Sequence, residues 1–416
     1  MEFINNYRTQ YSLPLLHQYQ RINIYRIQDA CWVLFLLFLM CESMNFIILF
    51  RLVPLFAGIG LYLMVTKITR YDYQRLIVVF YLNVAVLLSV LQTGRYEIII
   101  FSFMRAFVVP FYVIIYLSHR GIRQPTLIAL SLSVLPQLFA YFTGITFSDA
   151  PVYTYALQFC GIAWDPNYLC SYLVISLGAQ LALLRSSESR NYLFIWIVMV
   201  IATVFLILIS ISRAGILAMI LSFVIFIFSF QYKKPYKQFV IIFAILYAIF
   251  IISPFVLEKV SSDSIFGKLY HRFTVEGDSS LLENSRYGVI ERGFNQIFAK
   301  GPIEYTNEDS FFAQEATIVH NVLIRLGISY GWLSAIIHIS VWVLGLFSLI
   351  KLFVRGYFSN KKYNQHINIA LLPVMLIVLP YFGVIMSIPA LEQNLYWAEF
   401  GVIFTFLSNT KCYLYD

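Results

Sequence analysis

Long apolar runs separated by short polar breaks set the pattern of this chain. Residues 76–91, 192–211 and 239–252 are each long enough, or nearly so, to cross a hydrocarbon core about 30 Å thick at 1.5 Å per residue. The runs predict about twelve spans, centred near residues 40, 59, 84, 108, 135, 175, 201, 222, 248, 341, 378 and 401. Lipid-exposed backbone must satisfy its own hydrogen bonds, so the predicted fold is all-α and polytopic. In order, the pattern gives a tail over 1–29, nine spans over 30–257 and a long loop over 258–317. Three further spans over 318–409 and a short C-terminus over 410–416 complete it.

Composition agrees with the pattern. The chain is 60% hydrophobic and 12% charged, with a mean hydropathy of +0.76, which excludes an ordinary soluble domain. Some thirty polar or amphipathic residues precede the first apolar run, which is therefore expected to be an uncleaved span and not a signal peptide. Cys31, Cys41, Cys160, Cys170 and Cys412 are scattered. They read as small core residues, with neither a disulfide framework nor metal-ligand spacing.

The net charge of +8 changes the picture in one respect. The cations form no single patch, so nucleic acid is not an expected partner; they alternate with the spans. With the N-terminus inside, roughly 18 of the 29 basic residues fall in inner loops and about 10 in outer ones, with Arg105 inside a span. Both termini are then cytoplasmic and the long loop is external. Asp165, Arg213 and His320, far apart in sequence, fall on that same outer face. Within the loop, Tyr287, Ile290, Phe294, Ile297 and Phe298 recur at helical spacing, with Arg286, Glu291, Arg292 and Asn295 on other faces. This is an amphipathic helix, lying in the membrane interface or capping the bundle, and Gly301-Pro302 should end it.

Several polar residues carry candidate chemistry. Arg213, in Ser212-Arg213-Ala214-Gly215, is flanked by Ile207–Ile211 and Ile216–Ile220. An arginine there either snorkels to headgroups or faces a polar cavity, where its donor fork suits a phosphate. Gly215 would permit close backbone approach. His320-Asn321 opens the tenth span; its imidazole is either a proton acceptor or a satisfied helix-entry residue. Asp165-Pro166-Asn167 reads as a helix start, with Asp165 as N-cap and Pro166 at the first position, or as a direct participant. Glu42, Arg105 and Glu399 each fall about six to eight residues inside their spans, roughly 10 Å deep, where charges face a cavity or each other. Glu42 and Arg105 are the pair expected in a cavity wall. The first outer loop, around Arg51, has no acidic Asp-x-Asp or Glu-x-Asp motif, and no outer cluster has metal-ligand spacing. Nucleotide-binding glycine loops are missing too, so neither a metal nor a cofactor is expected.

The three motifs, in this order and on a common side, with a long loop closing on His320-Asn321 and followed by Tyr330-Gly331-Trp332, resemble the O-antigen ligase and polymerase superfamily. The resemblance covers roughly residues 150 to 345. It implies a GT-C-like glycosyltransferase that takes a glycan from an undecaprenyl-diphosphate carrier at the outer face of the bacterial inner membrane. On that likeness Arg213 faces the diphosphate, Arg286 resembles the family's second arginine, and His320 resembles its base. Asp165, Asn167, Asn321, Arg105 and Glu42 would line the substrate site. Membrane lipids, a flippase and a chain-length regulator are the partners implied. The chain departs from the family after Gly301-Pro302, where Ile303-Glu304-Tyr305 follows and a further glycine is common. A polymerase is favoured over a ligase. A flippase or transporter is the alternative of another class, although no similarity between two halves is apparent.

Overall fold

Backbone in hydrocarbon has no partner but itself, and the apolar runs are helical wherever they are described. The computed structural model describes residues 15–42, 47–145, 158–161, 163, 165–187, 189–229, 293, 295, 297–298, 301–305, 321–358, 362–386 and 394–414. Over 15–25, 47–50, 356–358, 362–370 and 408–414 only the backbone is described. The helices are α1 (Leu15–Cys41), α2 (Ile47–Met64), α3 (Arg70–Leu91), α4 (Tyr96–Arg120), α5 (Gln124–Thr143) and α6 (Pro166–Ser186). They continue as α7 (Arg190–Ser210), α8 (Arg213–Phe228), α9 (Val322–Tyr330), α10 (Trp332–Phe358), α11 (Lys362–Ile385) and α12 (Asn394–Leu414). No β-strand occurs among the described residues.

Six helices, α3 to α7 and α10, are long and apolar enough to cross a membrane, and α8 and α11 carry shorter apolar segments. The architecture is that of an all-helical, multi-pass membrane protein. Helix α6 is buried along most of its length, against α5, α7, α8 and α11. The expected ninth span near residue 248 and most of the 258–317 loop lie outside the described residues.

Two expected boundaries move. The first turn, expected around Arg51, falls instead between Cys41 and Ile47, so Arg51 lies inside α2 with its guanidinium 5.3 Å from the Phe101 ring centre. Glu42 therefore sits one residue past the end of α1 and not six to eight residues inside a span. The tenth span does not begin at His320-Asn321: α9 intervenes, and Gly331 at φ +93° separates it from α10. Only glycine adopts that conformation without strain.

Helix breaks inside the bundle explain several buried polar side chains. Pro110 cannot donate to the carbonyl four residues back, Ala106, and a π-helical turn over Met104–Val108 precedes it. Asn83 of α3 supplies the missing donor, Nδ2 to Ala106 O at 2.7 Å. In α5 the helix is interrupted between Ser131 and Val134. The Ser131 carbonyl instead accepts from Ser176 Oγ (2.8 Å) and Gln180 Nε2 (3.3 Å) of α6. Pro380 likewise leaves the Leu376 carbonyl without its helical donor, and α6 meets that carbonyl at Gly178, where a Cβ would stand 2.3 Å from the oxygen.

Candidate functional site

Two of the three sequence motifs are bonded to each other. Asp165 caps α6, its Oδ1 accepting from the backbone N–H of Asn167 (2.7 Å) and Tyr168 (3.1 Å), with Pro166 next in the first turn. Ser212 caps α8, accepting from Gly215 N at 3.2 Å, and donates its own hydroxyl to Asn167 Oδ1 at 2.8 Å. Both Asn167 and Ser212 are buried. The turn into this junction is strained: Ile211 has φ 53°, the left-handed region that a β-branched residue avoids. Gly215 does allow a close approach, but to protein: a Cβ there would lie 2.3 Å from Cys170 Sγ of α6. Cys31, Cys160 and Cys170 are buried, as small core residues, and form no disulfide among the described residues.

Arg213 is thereby fixed, half-buried, at the first position of α8. A cation at a helix N-terminus adds to the positive end of the helix dipole. Arg213 and the α8 terminus thus make one electropositive corner, and such a corner is suited to an anion such as a phosphate.

Asn321 caps α9, its Oδ1 accepting from Leu323 N (3.0 Å) and Ile324 N (3.1 Å) while Nδ2 donates to Met386 O at 3.3 Å, just beyond α11. Whether this end coincides with the Asp165 end follows from register. Gly178 of α6 meets Leu376 of α11, and Tyr172 of α6 interacts electrostatically with Tyr381 of α11. Moving back along α6 moves forward along α11, so the two run antiparallel. The start of α6 then lies beside the end of α11, and Asn321 is at the same end of the bundle as Asp165, Asn167, Ser212 and Arg213.

Helix α9 runs across this end, because at its far terminus the Tyr330 carbonyl accepts from Ser89 Oγ (2.6 Å) near the end of α3. From the long loop, Ile297 is buried on Ile324 and Ile328 of α9 with Trp332, while Phe298 is exposed. After it, Pro302 O accepts from Leu333 N (3.2 Å) and Glu304 Oε2 from Gly301 N (2.8 Å). Glu304 thus closes the turn over Gly301–Glu304. Sequence reasoning missed Arg325, buried on α9 one turn after Asn321. The rule that singled out Arg213, an arginine within an apolar run, applies to it equally.

Below this end lies a second polar group. Glu42, just past α1, accepts from Asn394 Nδ2 at the start of α12 and interacts electrostatically with Arg105, on the π-turn of α4. The described ion pairs within 4 Å do not include this one: they are Asp72 with Arg75 and His119, and Asp29 with Arg120, in the α1, α3 and α4 segments. Glu399, on α12, is buried and borders a largely apolar cavity of about 40 Å³ between α1, α4, α5, α11 and α12. Tyr172 and Tyr381 complete the group. Tyr172 is seven residues on from the Asp165 cap, about 10 Å at 1.5 Å per residue.

The π-turn carrying Arg105 is held by a directional chain. The Ala106 carbonyl only accepts, so Asn83 presents its amide N–H₂ there and its Oδ1 to His338 Nε2 at 3.0 Å. His338 Nε2 must therefore donate, and Nδ1 accepts from Tyr396 OH at 2.9 Å. Both ring nitrogens are thus hydrogen-bonded. His338→Leu would strand Asn83 Oδ1 and the Tyr396 hydroxyl, an expected loss of about 2–4 kcal/mol. A fall in the thermal midpoint of the detergent-purified protein is the check; an unchanged midpoint would mean that the chain carries no stability.

No protein-family model and no curated protein matches this chain. The motifs therefore stand on their geometry. It joins Asp165, Asn167 and Ser212 directly, with Arg213 next in the chain, adds Asn321 at the same end, and sets Glu42, Arg105 and Glu399 apart, deeper in the bundle. His320 and Arg286 lie outside the described residues.

Proposed function

We propose that this chain is a glycosyltransferase that polymerises undecaprenyl-diphosphate-linked oligosaccharide repeat units at the periplasmic face of the bacterial inner membrane. The observation that carries the reading is the Ser212–Asn167 hydrogen bond. It locks the two motifs together and sets Arg213 at an electropositive helix end, beside the elements that bring in Asn321. On this reading the described helices and the 239–252 run make up about twelve spans. The basic loops and both termini face the cytoplasm.

The chemistry follows from the donor. A sugar hydroxyl attacks the anomeric carbon, the bond from that carbon to the phosphate oxygen breaks, and the carrier diphosphate leaves. The configuration inverts. Arg213, with Arg286, stabilises the charge growing on the diphosphate, as preorganised cations do in a site shielded from water. His320 takes the proton of the attacking hydroxyl. The bond energy of the activated sugar drives the step. One specific observation favours a transporter instead: Glu42 and Glu399 are acidic residues buried in the bundle, with the half-buried Arg105 near Glu42, and transporters keep such residues in their interiors.

Deleting the gene in its own host tests the reading. A polymerase predicts surface glycan reduced to single repeat units, restored by the wild-type gene. Full-length polymer left on its lipid carrier would instead indicate a ligase, and repeat units trapped on the cytoplasmic side would indicate a flippase.

A further inference from the structure

The end of the bundle opposite Arg213 carries a polar assembly of its own. Ser89, near the end of α3, bonds α9 at the Arg213 end. The start of α3, about 28 Å back at 1.5 Å per residue, therefore lies at the other end. There hydrogen bonds tie five segments together. Gln28 Nε2 of α1 donates to Leu63 O of α2 (2.7 Å), and its Oε1 accepts from Arg120 Nη2 of α4 (3.3 Å). Arg123 Nε, at the cap of α5, donates to Arg120 O (3.0 Å). Arg75 Nη1 of α3 donates to Ser118 Oγ of α4 (2.6 Å), and His119 bonds Asp72 at 2.9 Å.

The charge of this assembly is one-sided. Over 26–30, 63–75 and 116–124, six cations (Arg26, Lys67, Arg70, Arg75, Arg120 and Arg123) stand against two carboxylates, Asp29 and Asp72. Four positive charges remain with His119 neutral. Asp72 is buried against His119, whereas Arg70 is exposed and Lys67 half-exposed. Arg70 also heads a stripe of α3 at helical spacing, continued by the exposed side chains of Tyr73, Ile77 and Tyr81. From Arg70 to Tyr81 is about 16 Å, close to half of a hydrocarbon core about 30 Å thick. A cation at the headgroup level above an apolar stripe one leaflet deep matches the outline of a phospholipid. A zwitterionic lipid brings its own ammonium and leaves the excess charge in place; a free phosphate has no chain for the stripe. We propose that this end of the bundle binds an anionic phospholipid of the adjacent leaflet, its phosphodiester held by Lys67 and Arg70 and one acyl chain laid along Tyr73, Ile77 and Tyr81. The proposal rests on the multi-pass membrane architecture and not on the transferase reading.

The test uses the full-length protein in detergent at fixed ionic strength, titrated with phosphatidylglycerol or with phosphatidylcholine of the same acyl chains. The thermal midpoint should rise saturably with phosphatidylglycerol and little with phosphatidylcholine, as for a ligand that binds only the folded state. Lys67→Gln and Arg70→Gln should each weaken the apparent affinity about fivefold, the usual worth of one basic residue beside an anionic surface. Arg190→Gln, at the same end but on α7, which packs on α5, α6 and α8, should leave it unchanged. Native mass spectrometry of the wild-type protein in an equal mixture of the two lipids needs no variant, and should show phosphatidylglycerol retained in preference. Equal midpoints or equal retention with the two lipids overturn the proposal, as does an affinity that Lys67→Gln and Arg70→Gln leave unchanged. A loss in Arg190→Gln matching that in Arg70→Gln overturns it too, reducing the effect to general surface charge. So does glycerol phosphate without acyl chains, if it shifts the midpoint as far as the lipid.

Discussion

Arg213→Ala is expected to cut glycan transfer by about 10³-fold or more, the order lost when a cationic group facing a departing phosphate is removed. The protein should remain in the membrane at normal abundance. Arg213 occupies the first position of α8, where the cap is supplied by Ser212 and a cation works against the helix dipole. Removing its charge relieves that term, by about 0.3–1 kcal/mol for an exposed site. Activity should therefore fall by far more than stability changes. Arg213→Lys should restore little, because a point charge does not reproduce the two parallel donors of a guanidinium. Arg286→Ala belongs in the same class. Normal polymer length from both alanine variants would make these arginines anchors of the bundle and not ligands of a diphosphate.

His320→Ala is expected to slow transfer by about 10²–10⁴-fold, the usual worth of a general base. Asn321 caps α9 and bonds Met386, so Asn321→Ala should lower stability by about 1 kcal/mol. A residue that acts only in the fold would give His320→Ala a shifted thermal midpoint with transfer reduced in proportion to folded protein. A base gives an unshifted midpoint with the transfer rate lost. Assays at constant amounts of folded protein separate the two.

Local rules made part of this architecture legible. Asp165 followed by Pro166 marks a helix start from sequence alone, since one supplies the cap and the other gives up an N–H that is free anyway. Ser212-Arg213 was legible as a polar break between two apolar runs. Its bond to Asn167 was not, because two spans distant in sequence meet only through tertiary packing. The α1–α2 break was displaced because Arg51 stood out as a charge, while the true turn begins beside Glu42, whose partner Asn394 lies at the far end of the chain. Tyr330-Gly331-Trp332 stood out only through the resemblance, and the break that Gly331 makes between α9 and α10 was read through as part of a span.

The deep group was legible only in its charges. Glu42, Arg105 and Glu399 are conspicuous in apolar runs, whereas Tyr172 and Tyr381 are two of 30 tyrosines with nothing local to single them out. Asn83 and His338 belong to the same lesson: what calls for them is the carbonyl that Pro110 leaves free on another helix.

Transfer by the purified protein tests the central claim most directly. In detergent or nanodiscs, supplied only with the undecaprenyl-diphosphate repeat unit, the wild-type protein should lengthen the glycan in excess EDTA and without nucleotide. One undecaprenyl diphosphate should be released for each glycosidic bond formed, and Arg213→Ala should release none. Lipid-linked units that cross the bilayer intact, with no glycosidic bond formed on any acceptor, would contradict the account and make this protein a transporter.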